Sequence, residues 1–258
     1  MIEMVKKGEL DIFQGGAGMF SAMEPRLNVF DIPYLFESVE QAYKVLDSKF
    51  GEEMLATLEP HGLKGLSFWE NGIRSTTNNV RPITKPDDIK GLKMRVMPAN
   101  PVHVMLWKGL GAEPTPLPFG EIYDKLKSGE LDGQEHPIAP IYAGKFYEVQ
   151  KYLSLTKHMY GQLIQVANLE RFKAMPKATQ NILLKASYAS AVKMRQFSND
   201  NAARFLEEMK QKGVAINEVD ASVFREKMRP IVEKPYIEKN GDAWLKKINA
   251  SLAEKPKK

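Results

Sequence analysis

Residue types able to do chemistry are scattered in this chain. Gly16-Ala17-Gly18 follows an apolar stretch as a dinucleotide fingerprint would, but the third glycine of G-x-G-x-x-G is replaced by Ser21. No G-x-S-x-G elbow and no H-E-x-x-H helix occurs. His61, His103, His136 and His158 lack the spacing of metal ligands, and the chain has no cysteine. That removes thiol nucleophiles, disulfides and thiolate metal sites, and it suits an oxidising compartment. No cofactor is expected. Two arginines remain. Arg95 lies among alternating apolar residues (Leu92, Met94, Val96), and Arg74 follows Gly72. Each could be a surface side chain. Each could also hold a carboxylate, because a planar guanidinium offers two parallel donors.

The elements that must position them read as α/β. Leu10 to Phe13 forms a strand, broken by Gly15-Gly16-Ala17-Gly18. A helix starts near Ser38, with Ala42, Tyr43, Leu46, Met54 and Leu58 at helical spacing. Leu63 to Phe68 and Leu92 to Met97 read as strands. Pro86 to Gly91 is a short helix, Asn100-Pro101 opens a helix to Leu110, and Phe119 to Lys127 is another, stopped by Gly129. Tyr152 to Leu155 leads to a second apolar run, Leu163 to Val166. One long helix runs from Pro176 to Gly213, about 55 Å at 1.5 Å per residue. Its expected apolar stripe is Ile182, Ala186, Ala189, Val192, Phe197, Phe205 and Met209.

Gly8-Glu9-Leu10-Asp11 recurs as Gly129-Glu130-Leu131-Asp132. Each copy ends a helix with lysines in its last turn and opens a strand. Ligands of open α/β sheets bind beyond the carboxyl ends of strands, so the repeat suggests two similar lobes facing one cleft.

The 37 Lys+Arg against 32 Asp+Glu form no basic stripe, so nucleic acid is not an expected partner. The lysines at 255, 257 and 258 read as a solvated tail. No apolar run reaches the ~20 residues of a membrane span.

Several runs together resemble the solute-binding proteins of TRAP transporters, the DctP-like family. They are Phe30-Asp31-Ile32-Pro33-Tyr34-Leu35-Phe36, Asn71-Gly72-Ile73-Arg74, Lys90-Gly91-Leu92-Lys93-Met94-Arg95-Val96, Pro116 to Tyr123, Leu131-Asp132-Gly133-Gln134-Glu135 and Lys145 to Leu153. Their order and spacing agree from about Gly8 to Gly213.

The resemblance implies a periplasmic-binding-protein-like fold, two α/β lobes with a ligand cleft between them and a long connecting helix. The first lobe would comprise residues 1–73 and 160–200, and the second 74–159 and 201–258. It implies a periplasmic monomer that binds a small organic acid, does no chemistry on it, and passes it to small and large TRAP membrane subunits. Arg95 would grip the ligand carboxylate, Arg74 would lie beside it, and Phe119 would pack on its carbon skeleton. Trp69 and Glu70 flank the same loop. Two arginines in one closed cleft would repel without an anion between them. His136 stands where the family usually has an asparagine that bonds the substrate, and Gly16 leaves room where other members present a polar group. A binding subunit feeding a sensor, or an α/β enzyme acting on a small acid, are the alternative readings. The family begins earlier, with a signal peptide, a strand and a helix. The expectation is therefore a longer native protein, with an incomplete first sheet and exposed apolar groups near Ile12 and Phe13.

Overall fold

The computed structural model describes residues 1–98 and 100–253; the C-terminal lysines lie outside that range. Helix α1 (Ile2–Lys7) ends at Gly8, whose φ of 74° is the left-handed cap that glycine adopts without steric cost. Strand β1 (Ile12–Gly16) follows, so Gly15 and Gly16 belong to the strand and not to a loop after it. The expected helix from Ser38 is two helices, α2 (Val39–Leu46) and α3 (Lys49–Ala56). Ser38 and Ser48 each accept a hydrogen bond from a backbone N–H of the following first turn, and the second cap interrupts the helix.

Strand β2 (Leu63–Asn78) is far longer than its apolar start suggests. After it come β3 (Lys93–Val96), α4 (Pro101–Gly109), β4 (Glu113–Pro116), α5 (Ile122–Ser128), β5 (Gly133–Pro137) and α6 (Ile138–Ala143). The two apolar runs near 152 and 163 are one strand, β6 (Tyr152–Asn168). The chain closes with α7 (Leu169–Ala174), α8 (Lys177–Gln211), β7 (Ala215–Glu218), α9 (Ala221–Asn240) and α10 (Ala243–Ala253).

The seven strands form one sheet in the order β1-β6-β2-β5-β3-β4, with β7 on the far end of β6. The two long strands pair antiparallel along their length and carry different neighbours at each end. Residues 163–167 of β6 pair with β1, while residues 74–78 of β2 pair with β5. Among the described strands β1 has β6 as its one partner. Ile12 is exposed there, but Phe13, expected to be exposed too, is buried against Phe20 at 6.3 Å.

Midway, Gly72 faces Gly161 between two register shifts in the β2–β6 ladder. Gly72 has φ 98°, and a Cβ there would sit 3.0 Å from Pro137 Cβ. Gly72→Ala should therefore cost about 1–3 kcal/mol through backbone strain and crowding. A urea midpoint equal to that of wild type would show that the crossing tolerates a side chain.

One apolar core joins β1, α2, α3, the start of β2, β3, α4, α9 and α10; a second joins α5, α6, the start of β6 and the end of α8. Helix α10 packs on α2 and on residues 25–31, so C-terminal residues expected in the second lobe also touch the first. The expected stripe on α8 is only partly buried. Phe205 and Met209 are buried, but Ile182, Ala186, Ala189, Val192 and Phe197 are exposed. The helix instead lies on β2 through Ser187, Ala191, Arg195 and Ser198, while Gln180 is buried against the backbone at Lys173 and Met175. Small side chains allow that close approach, and Arg195 pairs with Asp47 at 2.6 Å.

Candidate functional site

Both copies of the repeat deliver their strands to one place. Gly8 and Gly129 are left-handed helix ends, at φ 74° and 77°, and β1 and β5 follow them. The end of β1 (Gly16) and the end of β5 (His136) line a single cavity of about 400 Å³. Arg74, Arg95 and Phe119 line it as well, with Asn71, Met97, Met159 and Gln162. Five of the seven expected site residues thus converge.

Trp69 and Glu70 do not line it. Glu70 borders a second cavity, beside Ser198 and Asn199 of α8, and its carboxylate accepts from the hydroxyls of Tyr43 (2.5 Å) and Tyr160 (3.1 Å). Burial raises its pKa. Simple alternation would keep positions 70 and 74 on one face, but the register shift between Glu70 and Gly72 breaks it. The Trp69 indole nitrogen is buried without a hydrogen-bond partner.

Arg95 is buried, contrary to the surface reading that alternation allowed. Its Nε donates to Leu117 O at 2.8 Å and its Nη1 to His136 Nε2 at 3.0 Å. Burial and the neighbouring Arg74 push its pKa down to about 10, against the pull of Glu135. It makes no salt bridge among the described residues. Arg74 is different: Nε and Nη2 both bond the Glu135 carboxylate, and Nη2 also bonds Glu135 O at 2.7 Å.

His136 was expected to meet the ligand in place of an amide, but both its ring nitrogens are engaged by the protein. Nδ1 bonds Gln134 Oε1, an acceptor, so Nδ1 carries the proton and Nε2 accepts from Arg95. Burial, with Arg74 and Arg95 nearby, holds its pKa well below the ordinary value, and the ring is neutral. The histidine therefore aims Arg95. Behind it Gln134 donates to Thr77 Oγ1 at 2.8 Å, and Thr77 donates to Gln150 Oε1 at 2.8 Å. Phe119 stands edge-on to His136, ring centres 5.3 Å apart, and is 45% exposed, which leaves its other face for a ligand.

Sequence reasoning missed the layer beneath. Glu135 is fully buried, with His103 Nδ1 at 3.2 Å and His158 Nε2 at 3.4 Å. His103 Nε2 lies 3.3 Å from Asp31 Oδ1, and Asp31 accepts from Asn100 Nδ2 at 3.0 Å. Burial works against charge on both Glu135 and His103, but is outweighed. Arg74 and His103 hold Glu135 well below the carboxylate range, and the two carboxylates raise His103. Residues 31, 103 and 135 share no local spacing that would have announced this. No cluster among the described residues could hold a metal ion.

A histidine raised above its ordinary value of 6.5 stabilises the fold fully below that pH, and loses the contribution as pH rises through its folded value. The stability advantage of wild type over His103→Gln should therefore be greatest below pH 6.5 and shrink on the alkaline side. Urea unfolding at a series of pH values checks this; an advantage that grows with pH would contradict it.

The sequence pattern of the bacterial extracellular solute-binding proteins, family 7 (DctP), matches residues 1–239. The 2,3-diketo-L-gulonate-binding periplasmic protein YiaO of Escherichia coli (strain K12) is 37% identical over 225 residues, 87% of this chain and 68% of that protein. A TRAP periplasmic solute-binding protein from Polaromonas sp. JS666, bound to D-erythronate, superposes with a TM-score of 0.91 at 34% identity, covering 100% of this chain and 84% of that one. The sugar acid binding protein DctPAm from Advenella mimigardefordensis strain DPN7T, in complex with galactonate, gives a TM-score of 0.91 at 34% identity, covering 97% and 81%. The family implies a carboxylate ligand and TRAP membrane subunits as partners, and no helix among the described residues is long and apolar enough to cross a membrane. A sheet threaded by two long strands, a buried arginine facing a cavity and a match over most of the length lead to one assignment: the chain belongs to the DctP family of TRAP periplasmic solute-binding proteins, which are receptors and not enzymes.

Proposed function

We propose that this chain binds a small organic carboxylate in the cavity around Arg95, as a monomer, and delivers it to the small and large membrane subunits of a TRAP transporter. One observation carries the reading. Arg95 is a buried guanidinium facing an open cavity, and the nearest carboxylate, Glu135, is already held by Arg74. A buried charge without a partner is costly, and a ligand carboxylate supplies one. The cavity's volume falls in the range of small-molecule sites. Gln162 Oε1 is buried in its wall with no hydrogen-bond partner, an acceptor suited to a ligand hydroxyl. YiaO is named for 2,3-diketo-L-gulonate, and the two structures hold D-erythronate and galactonate, which supports a hydroxylated acid here too.

The proposed lobes, 1–73 with 160–200 and 74–159 with 201–258, would close on the ligand about the glycine crossing of β2 and β6. A thermal-shift screen of organic acids and neutral sugars tests the function. An acid at 100 times its dissociation constant adds about 2.7 kcal/mol of stability. Stabilisation by neutral sugars alone, or by no acid, would refute it.

A further inference from the structure

The ionisable side chains around the cavity can be counted. Arg74, Arg95, Asp31 and His103 line it, and Glu135 lies directly behind, bonded to Arg74 and His103. The two guanidinium groups offset the two carboxylates. His103 decides the balance. Its ring nitrogens both face carboxylate oxygens, Nδ1 toward Glu135 Oε1 at 3.2 Å and Nε2 toward Asp31 Oδ1 at 3.3 Å. Nδ1 makes a hydrogen bond to Glu135, whereas Nε2 lies within ion-pair distance of Asp31 without hydrogen-bond geometry. A neutral imidazole has one N–H and would turn a lone pair toward one of those carboxylates; the imidazolium places positive charge beside both. His136 adds no charge, because its Nε2 accepts from Arg95. All five counted groups are buried, none more than 5% exposed.

We propose that the site takes organic acids carrying a single negative charge and rejects diacids of the same skeleton, with His103 setting the count. The proposal rests on the carboxylate reading above and narrows it. The five groups leave one positive charge. A monoanion cancels it, whereas a dianion would leave an uncompensated negative charge against a wall that includes Met19, Met97, Met159, Leu163 and Phe119. Arg74 is no ready partner for a second carboxylate, since Glu135 already holds it on two sides.

Calorimetric titration of the full chain with matched pairs tests this: D-erythronate against meso-tartrate, galactonate against galactarate and butyrate against succinate, with galactose as the uncharged control. The expected result is that at least one monoacid binds and its diacid partner binds at least tenfold more weakly. A diacid that binds as tightly as its monoacid, or more tightly, overturns the charge argument and leaves the carboxylate reading standing. Binding of galactose alone, or of none of the acids, overturns both. His103→Gln, which keeps a donor and an acceptor but removes the charge, should weaken the bound monoacid at least tenfold. Unchanged affinity in a variant that melts cooperatively would remove His103 from the account. Should that variant fail to fold, the wild-type pairs decide the question alone.

Discussion

Arg95→Ala is expected to lose about 2–5 kcal/mol of ligand binding, the range for removing one partner of a buried, hydrogen-bonded charge pair. In a titration with any acid that stabilises the wild-type chain, that is a loss of about 30- to 5,000-fold in affinity. The size follows from how Arg95 is held. Leu117 O and His136 Nε2 fix two of its nitrogens, so little conformational freedom remains to be lost when a carboxylate arrives. Arg95→Lys should recover only part of the loss, since an ammonium restores charge but not the planar fork. A loss below about 0.5 kcal/mol, in a variant that melts like wild type, would place the anchor elsewhere.

The second large effect concerns stability. Glu135→Ala should cost about 3–5 kcal/mol of unfolding free energy, because it strands two buried cations at once, Arg74 and the imidazolium of His103. Removing Arg74 as well, in Arg74→Met with Glu135→Leu, should cost less than the sum of the single changes, since the pair leaves together. Additive costs would mean that the two side chains act independently. Glu135 is held well below its ordinary value of 4.5, so its contribution is present above that pH and is lost as pH falls through the lower folded value. The deficit of Glu135→Ala should therefore persist through mildly acidic solution and narrow only in strong acid.

Much of the site was legible because short motifs carry local physics. Gly8 and Gly129 end helices in a left-handed turn and launch strands, and that repeat located both walls of the cavity. The resemblance placed Arg95, Arg74, Phe119, His136 and Gly16, and all five line it. Trp69 and Glu70 were placed from adjacency along the chain, which a register shift overrides. His136 was read as a ligand contact because it stands where the family usually has asparagine. Its role in aiming Arg95 depends on Gln134, two residues away on the same strand, taking up Nδ1.

The sequence by itself determined the element types, most helix ends, the family, and which arginines meet at one cavity, because caps, periodicity and ordered motifs act over a few residues. It misjudged α8, whose buried side is made of small and polar residues; a helix on a sheet is selected for close approach as well as for hydrophobicity. Only the tertiary structure decided the charge state of the site. Asp31, His103 and Glu135 come from three separate segments, and each has an ordinary reading alone. Buried, with His103 within 3.3 Å of an oxygen of each carboxylate, they become a coupled group whose net charge is set by mutual desolvation and pairing. Such energies depend on distance and burial, which spacing along the chain does not encode.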